Sequence, residues 1–137
     1  MIKNIVKDIE FLKVVSTEAT IDDKYIADDL RDTLSFNRGK CVGMAANMIG
    51  YHKRIIIFED ENNKLIIMFN PKIIKGEKEY STEEGCLSLT GVRPTKRYLK
   101  IKVEYYNEEF KKRIMTYQGF VAQIIQHEID HCNGIII

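Results

Sequence analysis

The segment Gln126-His127-Glu128-Ile129-Asp130-His131 holds the side chains best able to do chemistry. His127 and His131 are four residues apart, so on a helix they lie on one face, one turn apart. Two imidazoles so placed can grip one metal ion, and Glu128 beside them is a candidate general base. That is the apparatus of metal-assisted hydrolysis. The competing reading is a solvated helix face that carries these residues by chance. The chain has only three histidines, and the third, His52, is far away in sequence, which favours the metal reading.

Two histidines do not complete a catalytic site, which usually takes three protein ligands and leaves one position for water. Zinc peptidases with His-Glu-x-x-His generally draw the third ligand from further along the chain. Here little sequence follows His131, so the third ligand is expected upstream. Cys86, in Glu84-Gly85-Cys86-Leu87-Ser88, is the strongest candidate, because Gly85 permits close backbone approach. Cys132 points about 100° away from His131 around a helix and reads as packing. Cys41 is a rival that could line the site.

These groups need elements to hold them. The spacing of Ile26, Leu30 and Leu34 predicts a helix over residues 23–36, with Asp22 and Asp23 at its start and Asn37-Arg38-Gly39 at its end. Residues 1–12 read as an irregular or extended arm, and 40–50 as a Gly- and Ala-rich segment. Arg54–Phe58 and Leu65–Phe69 read as strands joined by a polar turn. Pro71 is expected to break the second, with Lys72–Glu79 as a further strand. Leu99–Tyr106 alternates apolar and charged residues and should pair with Phe110–Tyr117. A last helix is expected over Gly119–Cys132, stopping at Asn133-Gly134. The tail Ile135-Ile136-Ile137 reads as a docked strand or as a sticky end for self-association. Strands in the middle and helices at the ends give an α+β class, expected as one domain over 1–137.

The bulk composition fits a globular protein: 45% hydrophobic and 30% charged. A net charge of +1 offers no basic surface for nucleic acid or membrane. The N-terminus lacks the apolar core of a signal peptide, and three cysteines do not suggest a disulfide framework, so a cytoplasmic location is expected.

The chain resembles the peptide deformylases. Their signatures are Gly-x-Gly-x-Ala-Ala-x-Gln, Glu-Gly-Cys-Leu-Ser and Gln-His-Glu-x-Asp-His. The second stands intact as Glu84–Ser88 and the third as Gln126–His131. Gly91, Arg93, Arg97, the lead-in Gly119–Ala122 and Gly134 extend the likeness over most of the chain. The resemblance implies mostly antiparallel sheets packed around a C-terminal metal-binding helix. It implies that Cys86, His127 and His131 hold one divalent metal, Fe(II) in the cell, with zinc, nickel or cobalt as substitutes. It implies removal of formyl groups from the N-terminal formyl-methionine of nascent proteins, at the ribosome, by a monomer or weak homodimer. Glu128 would move the water's proton to the leaving amine, the Leu87 N–H would meet the oxyanion, and Gly43 belongs to the same catalytic group. Val42, Phe120, Gln123 and Ile124 would form the methionine pocket.

The first signature is altered. It aligns with Cys41-Val42-Gly43-Met44-Ala45-Ala46-Asn47-Met48, where Cys41 replaces a glycine and Met48 the glutamine. In the family that glutamine donates to the formyl oxygen, and a thioether cannot. Losing one oxyanion donor costs about 10²–10³ in kcat. Asn47 is expected to point to the other face. Gln123 places a polar group in an apolar pocket. Two alternatives follow: a weak or inactive metal-binding or regulatory relative, and a hydrolase of another N-acyl substrate.

Overall fold

The computed structural model describes residues 1–136. In chain order it contains α1 (Ile9–Leu12), α2 (Lys24–Phe36), β1 (Gly43–Ala45), β2 (Ile55–Glu59), β3 (Leu65–Gly85), β4 (Val92–Tyr106), β5 (Lys112–Gln118) and α3 (Gly119–Cys132). The strands form one antiparallel sheet in the order β1-β2-β3-β4-β5.

Strand β2 shows how the sheet organises the chain. Its run Ile55-Ile56-Ile57-Phe58 is wholly buried, so both faces of the strand must be covered. Ile55 and Ile57 pack with Met44, Met48, Phe69 and the α2 side chains Ile26, Leu30 and Leu34. Ile56 and Phe58 pack on the other side with Met68, Ile101, Val103 and the α3 side chains Ile125 and Ile129. The sheet therefore lies between two helices, and α3 is buried along most of its length. Cys132 belongs to this second core, as expected for a packing residue.

The helices match the expected spans closely. A short 3-10 turn, Ile21–Asp23, precedes α2; the Thr20 hydroxyl and the Asp23 carboxylate cap it reciprocally. The arm 1–12 is not wholly irregular, because Asp8 caps the short helix α1. Residues 46–49 form a 3-10 turn that ends at Gly50 in the left-handed region, φ 98°.

Three strand expectations need correction. Pro71 does not break β3, which runs unbroken over 21 residues to Gly85. The register instead shifts between Phe69 and Lys72 and again between Ile73 and Lys75, so the proline sits in a bulge. Strand β4 begins at Val92, not Leu99, and pairs with β3 as far as the Gly85–Val92 step. Strand β5 begins at Lys112, because Phe110 belongs to the turn at φ 61° and stacks on Tyr106. Residues 135–136 are in no strand, and Ile135 is half exposed with its N–H on the Asp130 carbonyl. The end of the tail, Ile137, lies outside the described residues.

Candidate metal centre

Two elements deliver the ligands. The long β3–β4 hairpin carries Cys86 one residue past the end of β3, and α3 carries both histidines. Gln126 fastens one to the other. Its Nε2 donates to the Tyr98 carbonyl at 2.8 Å, and its Oε1 accepts from the Tyr98 N–H at 2.8 Å. An edge of β4 is thus paired by a side chain acting as a peptide group.

The ligand atoms of Cys86, His127 and His131 all lie within 4.8 Å of one another. The two Nε2 atoms are 3.2 Å apart, and Cys86 Sγ is 3.3 Å from His131 Nε2. His127 donates its Nδ1–H to Glu84 at 2.8 Å, which turns Nε2 toward the other ligand atoms as the nitrogen to bind a metal. One thiolate and two imidazole nitrogens converging on a point suit a divalent transition metal. The donor set therefore fits the expected ion. Neither Cys41 nor His52, which stacks on Phe11, is among the converging atoms.

A buried ionic network holds the ligands. Arg97, 4% exposed, donates to Glu84 through Nε at 3.0 Å and Nη2 at 2.7 Å, and through Nη1 to Asp130 at 2.7 Å. One guanidinium so joins the hairpin to α3 between the two histidines. Burial pushes the Glu84 carboxyl up, but His127, Arg97 and Gln123 outweigh it and hold it at about 2. His127 is disfavoured as a cation by burial, yet Cys86 and Glu84 raise it to about 10. His131 falls to about 3 through burial and the nearby positive charge of His127. Burial raises Glu128 to about 7. The raised value of His127 means that a cation entering the site would displace a proton from its imidazole.

A cavity of about 490 Å³ opens beside these groups and includes Gly43, Met48, Cys86, Leu87 and Glu128 in its walls. Glu128 is 4% exposed, and its Oε1 has no partner in the protein. Gly43 packs against it so closely that a Cβ there would meet Glu128 Oε2 at 2.9 Å. The Leu87 N–H has no acceptor among the described residues. Val42 and Phe120 stand at the cavity mouth, 38% and 64% exposed, and Ile124 is buried deeper.

Met48 lines the cavity too but is 1% exposed, and its sulfur accepts the Ala45 N–H at 3.5 Å. Asn47 turns away, as expected, although the reason differs: the segment is a 3-10 turn, and its amide donates to the His131 carbonyl at 2.9 Å. Gln123 does border the cavity, but its amide is bound to Glu84 at 2.9 Å rather than loose in the pocket. Cys41 also lines the wall, its thiol raised to about 12 by burial. Sequence reasoning missed the parts played by Glu84, Arg97 and Asp130. The available signal was an acid in each ligand segment, Glu84 and Asp130, with the arginines Arg93, Arg97 and Arg113 between them in the chain.

The polypeptide deformylase family profile matches residues 2–137. This chain is a member of that family. The peptide deformylase of Clostridium beijerinckii is 56% identical over 137 residues, covering all of both chains. That of Desulforudis audaxviator is 42% identical over 114 residues, covering 81% of this chain and 72% of its own. Solved family structures superpose closely. A class I type b peptide deformylase from Acinetobacter baumannii, with Met-Ala-Ser bound, gives a TM-score of 0.88 at 28% identity, over 99% of this chain and 97% of its own. A peptide deformylase from Legionella pneumophila gives 0.89 at 30% identity, over 99% and 83%. The deformylase fold thus accounts for the sheet, the C-terminal helix and the Cys-His-His site together.

Proposed function

We propose that this metal-dependent peptide deformylase removes the formyl group from N-terminal formyl-methionine of nascent chains, in the cytoplasm, and that Met48 slows it. The observation that carries the reading is the convergence of Cys86, His127 and His131 beside the buried Glu128. Among the described residues no helix is long and apolar enough to cross a membrane.

Cys86, His127 and His131 would hold a divalent cation, iron(II) in the cell by family resemblance, which would supply Lewis acidity at neutral pH. Glu128 takes the proton of the attacking water and returns it to the departing amine. Its burial holds it near the pKa such a shuttle needs. The products are formate and a free amino terminus, which balances one formamide and one water. The unengaged Leu87 N–H donates to the carbonyl oxygen as negative charge grows there. The Gly43 main chain passes close to Glu128 and leaves it no room to swing away. Val42, Phe120 and Ile124, with the methylenes of Gln123, receive the methionine side chain.

Met48 cannot donate a hydrogen bond, and its sulfur is occupied by Ala45. This favours a second reading, in which the site binds formylated N-termini but scarcely turns them over. Formate release from formyl-Met-Ala-Ser decides between them, using nickel-loaded protein with Glu128→Ala as background. Turnover above that background supports the enzyme. No turnover with one metal bound per chain supports the binding role.

A further inference from the structure

The Glu84 carboxylate has room for about four hydrogen bonds, and all four are filled. Oε1 takes His127 Nδ1 at 2.8 Å and Arg97 Nη2 at 2.7 Å. Oε2 takes Arg97 Nε at 3.0 Å and Gln123 Nε2 at 2.9 Å. The fourth donor has its own support. The Tyr80 hydroxyl donates to Gln123 Oε1 at 3.4 Å. Tyr80 is an even number of residues from Glu84 on β3 and sits opposite Arg97 in the β3–β4 register, so all three face α3 together.

We propose that Gln123, steadied by Tyr80, is a positioning residue for the metal centre. It completes the carboxylate that orients His127, and so governs how firmly the site keeps a divalent cation. This rests on the Cys-His-His reading of the site. It also gives a purpose to a polar side chain in the cavity wall, whose amide is engaged by Glu84 rather than free to meet a bound side chain. The carboxylate is the nearer determinant, and partners of that kind are worth about 10–100-fold in metal affinity. Gln123 is one bond further out and is expected to matter about three- to tenfold.

The test uses Gln123→Met, which keeps length and removes the amide, and Tyr80→Phe, which removes only the hydroxyl. Zinc release to an excess of chelator is timed for each. The d–d absorption of the cobalt-loaded proteins is recorded alongside. The expected result is release about three- to tenfold faster for Gln123→Met, a smaller change for Tyr80→Phe, and altered cobalt bands in the first. A purely structural role would lower the melting temperature while leaving release and spectrum at wild-type values, which overturns the proposal. So does a shifted preference between formyl-methionyl and formyl-norleucyl peptides with metal release unchanged. If wild-type protein fails to bind one zinc per chain, it is the metal-centre reading itself that falls.

Discussion

Adding a single methyl group at Gly43 should disable the site while leaving its metal in place. Gly43 does not have a positive φ, so alanine brings no backbone strain. The problem is room. A Cβ would meet Ile124 Cγ2 at 2.6 Å, Glu128 Oε2 at 2.9 Å and Glu128 Cγ at 3.3 Å. Carbon atoms in contact prefer about 3.5–4.0 Å, so something must move by about 1 Å. Ile124 is β-branched on a helix, with essentially one χ1 rotamer, and is 6% exposed, so it cannot swing aside. Ile124 and Glu128 stand one turn apart on α3, so the helix turn that carries both must shift from β1 as a unit, and Glu128 moves with it. Overpacking of this size costs about 1–3 kcal/mol. A misplacement of about 1 Å in a reacting group costs about 10² in rate. Gly43→Ala should therefore lose about 10²-fold in kcat for formate release and melt a few degrees lower, with one metal still bound per chain. Adding Ile124→Ala removes the tightest contact and should recover part of the melting temperature, more than the two single changes predict by addition. A Gly43→Ala protein with kcat within threefold of wild type and an unchanged melting temperature would refute the reasoning. It would mean that the β1 backbone yields and that Glu128 is not tightly held.

Other perturbations test other parts. Met48→Gln should raise kcat by about 10²–10³ if a missing oxyanion donor limits the rate, with KM little changed; formate kinetics on both proteins decide it. Cys86→Ala should lose stoichiometric metal in elemental analysis while the far-ultraviolet circular dichroism is retained, because the two histidines alone leave the site short of a ligand. Arg97→Met leaves the buried Glu84 and the half-buried Asp130 without their cation, and should destabilise the fold by about 3–5 kcal/mol in urea titrations. Asp29 is raised by burial, but hydrogen bonds from the N-terminal ammonium and the Tyr51 hydroxyl outweigh this and lower its pKa. A lowered carboxylate gives stability that is complete above its unfolded value of about 3.9 and fades as pH falls through the folded one. The stability gap between wild type and Asp29→Asn should thus be widest near neutral pH and narrow below about pH 4.

The parts of the molecule legible in the sequence were those written in local spacing. The helical period of Ile26, Leu30 and Leu34 and the alternation of Ile101, Val103 and Tyr105 each name a buried face, and all six side chains are buried. Both histidines and Cys86 were legible because a metal demands particular atoms, and few residue types supply them. The bulge at Asn70-Pro71 was not, because a proline inside a strand is tolerated only when tertiary partners absorb it. Here the Arg54 guanidinium binds the Pro71 carbonyl, and the Asn70 side chain binds both backbone groups of Ala19. The destination of Gln123 was likewise invisible, because it depends on Tyr80 and Glu84, which only the β3–β4 register brings opposite α3. Local chemistry selects the ligands, whereas long-range pairing selects what surrounds them.

The separation of the ligands along the chain has a mechanical meaning. Cys86 and His131 are 45 residues apart and come from two elements that pack side by side. A cation joining them is a removable cross-link that closes a loop of that length. Because the ion binds the folded site and leaves the unfolded chain, its stabilisation follows its free concentration over its dissociation constant, about 4 kcal/mol at a thousandfold excess. The same ion that does the chemistry then clamps the hairpin to the helix. Protein stripped by a chelator should be the easier prey for a protease, with the earliest cuts in the turn Cys86–Gly91 that the clamp holds in place.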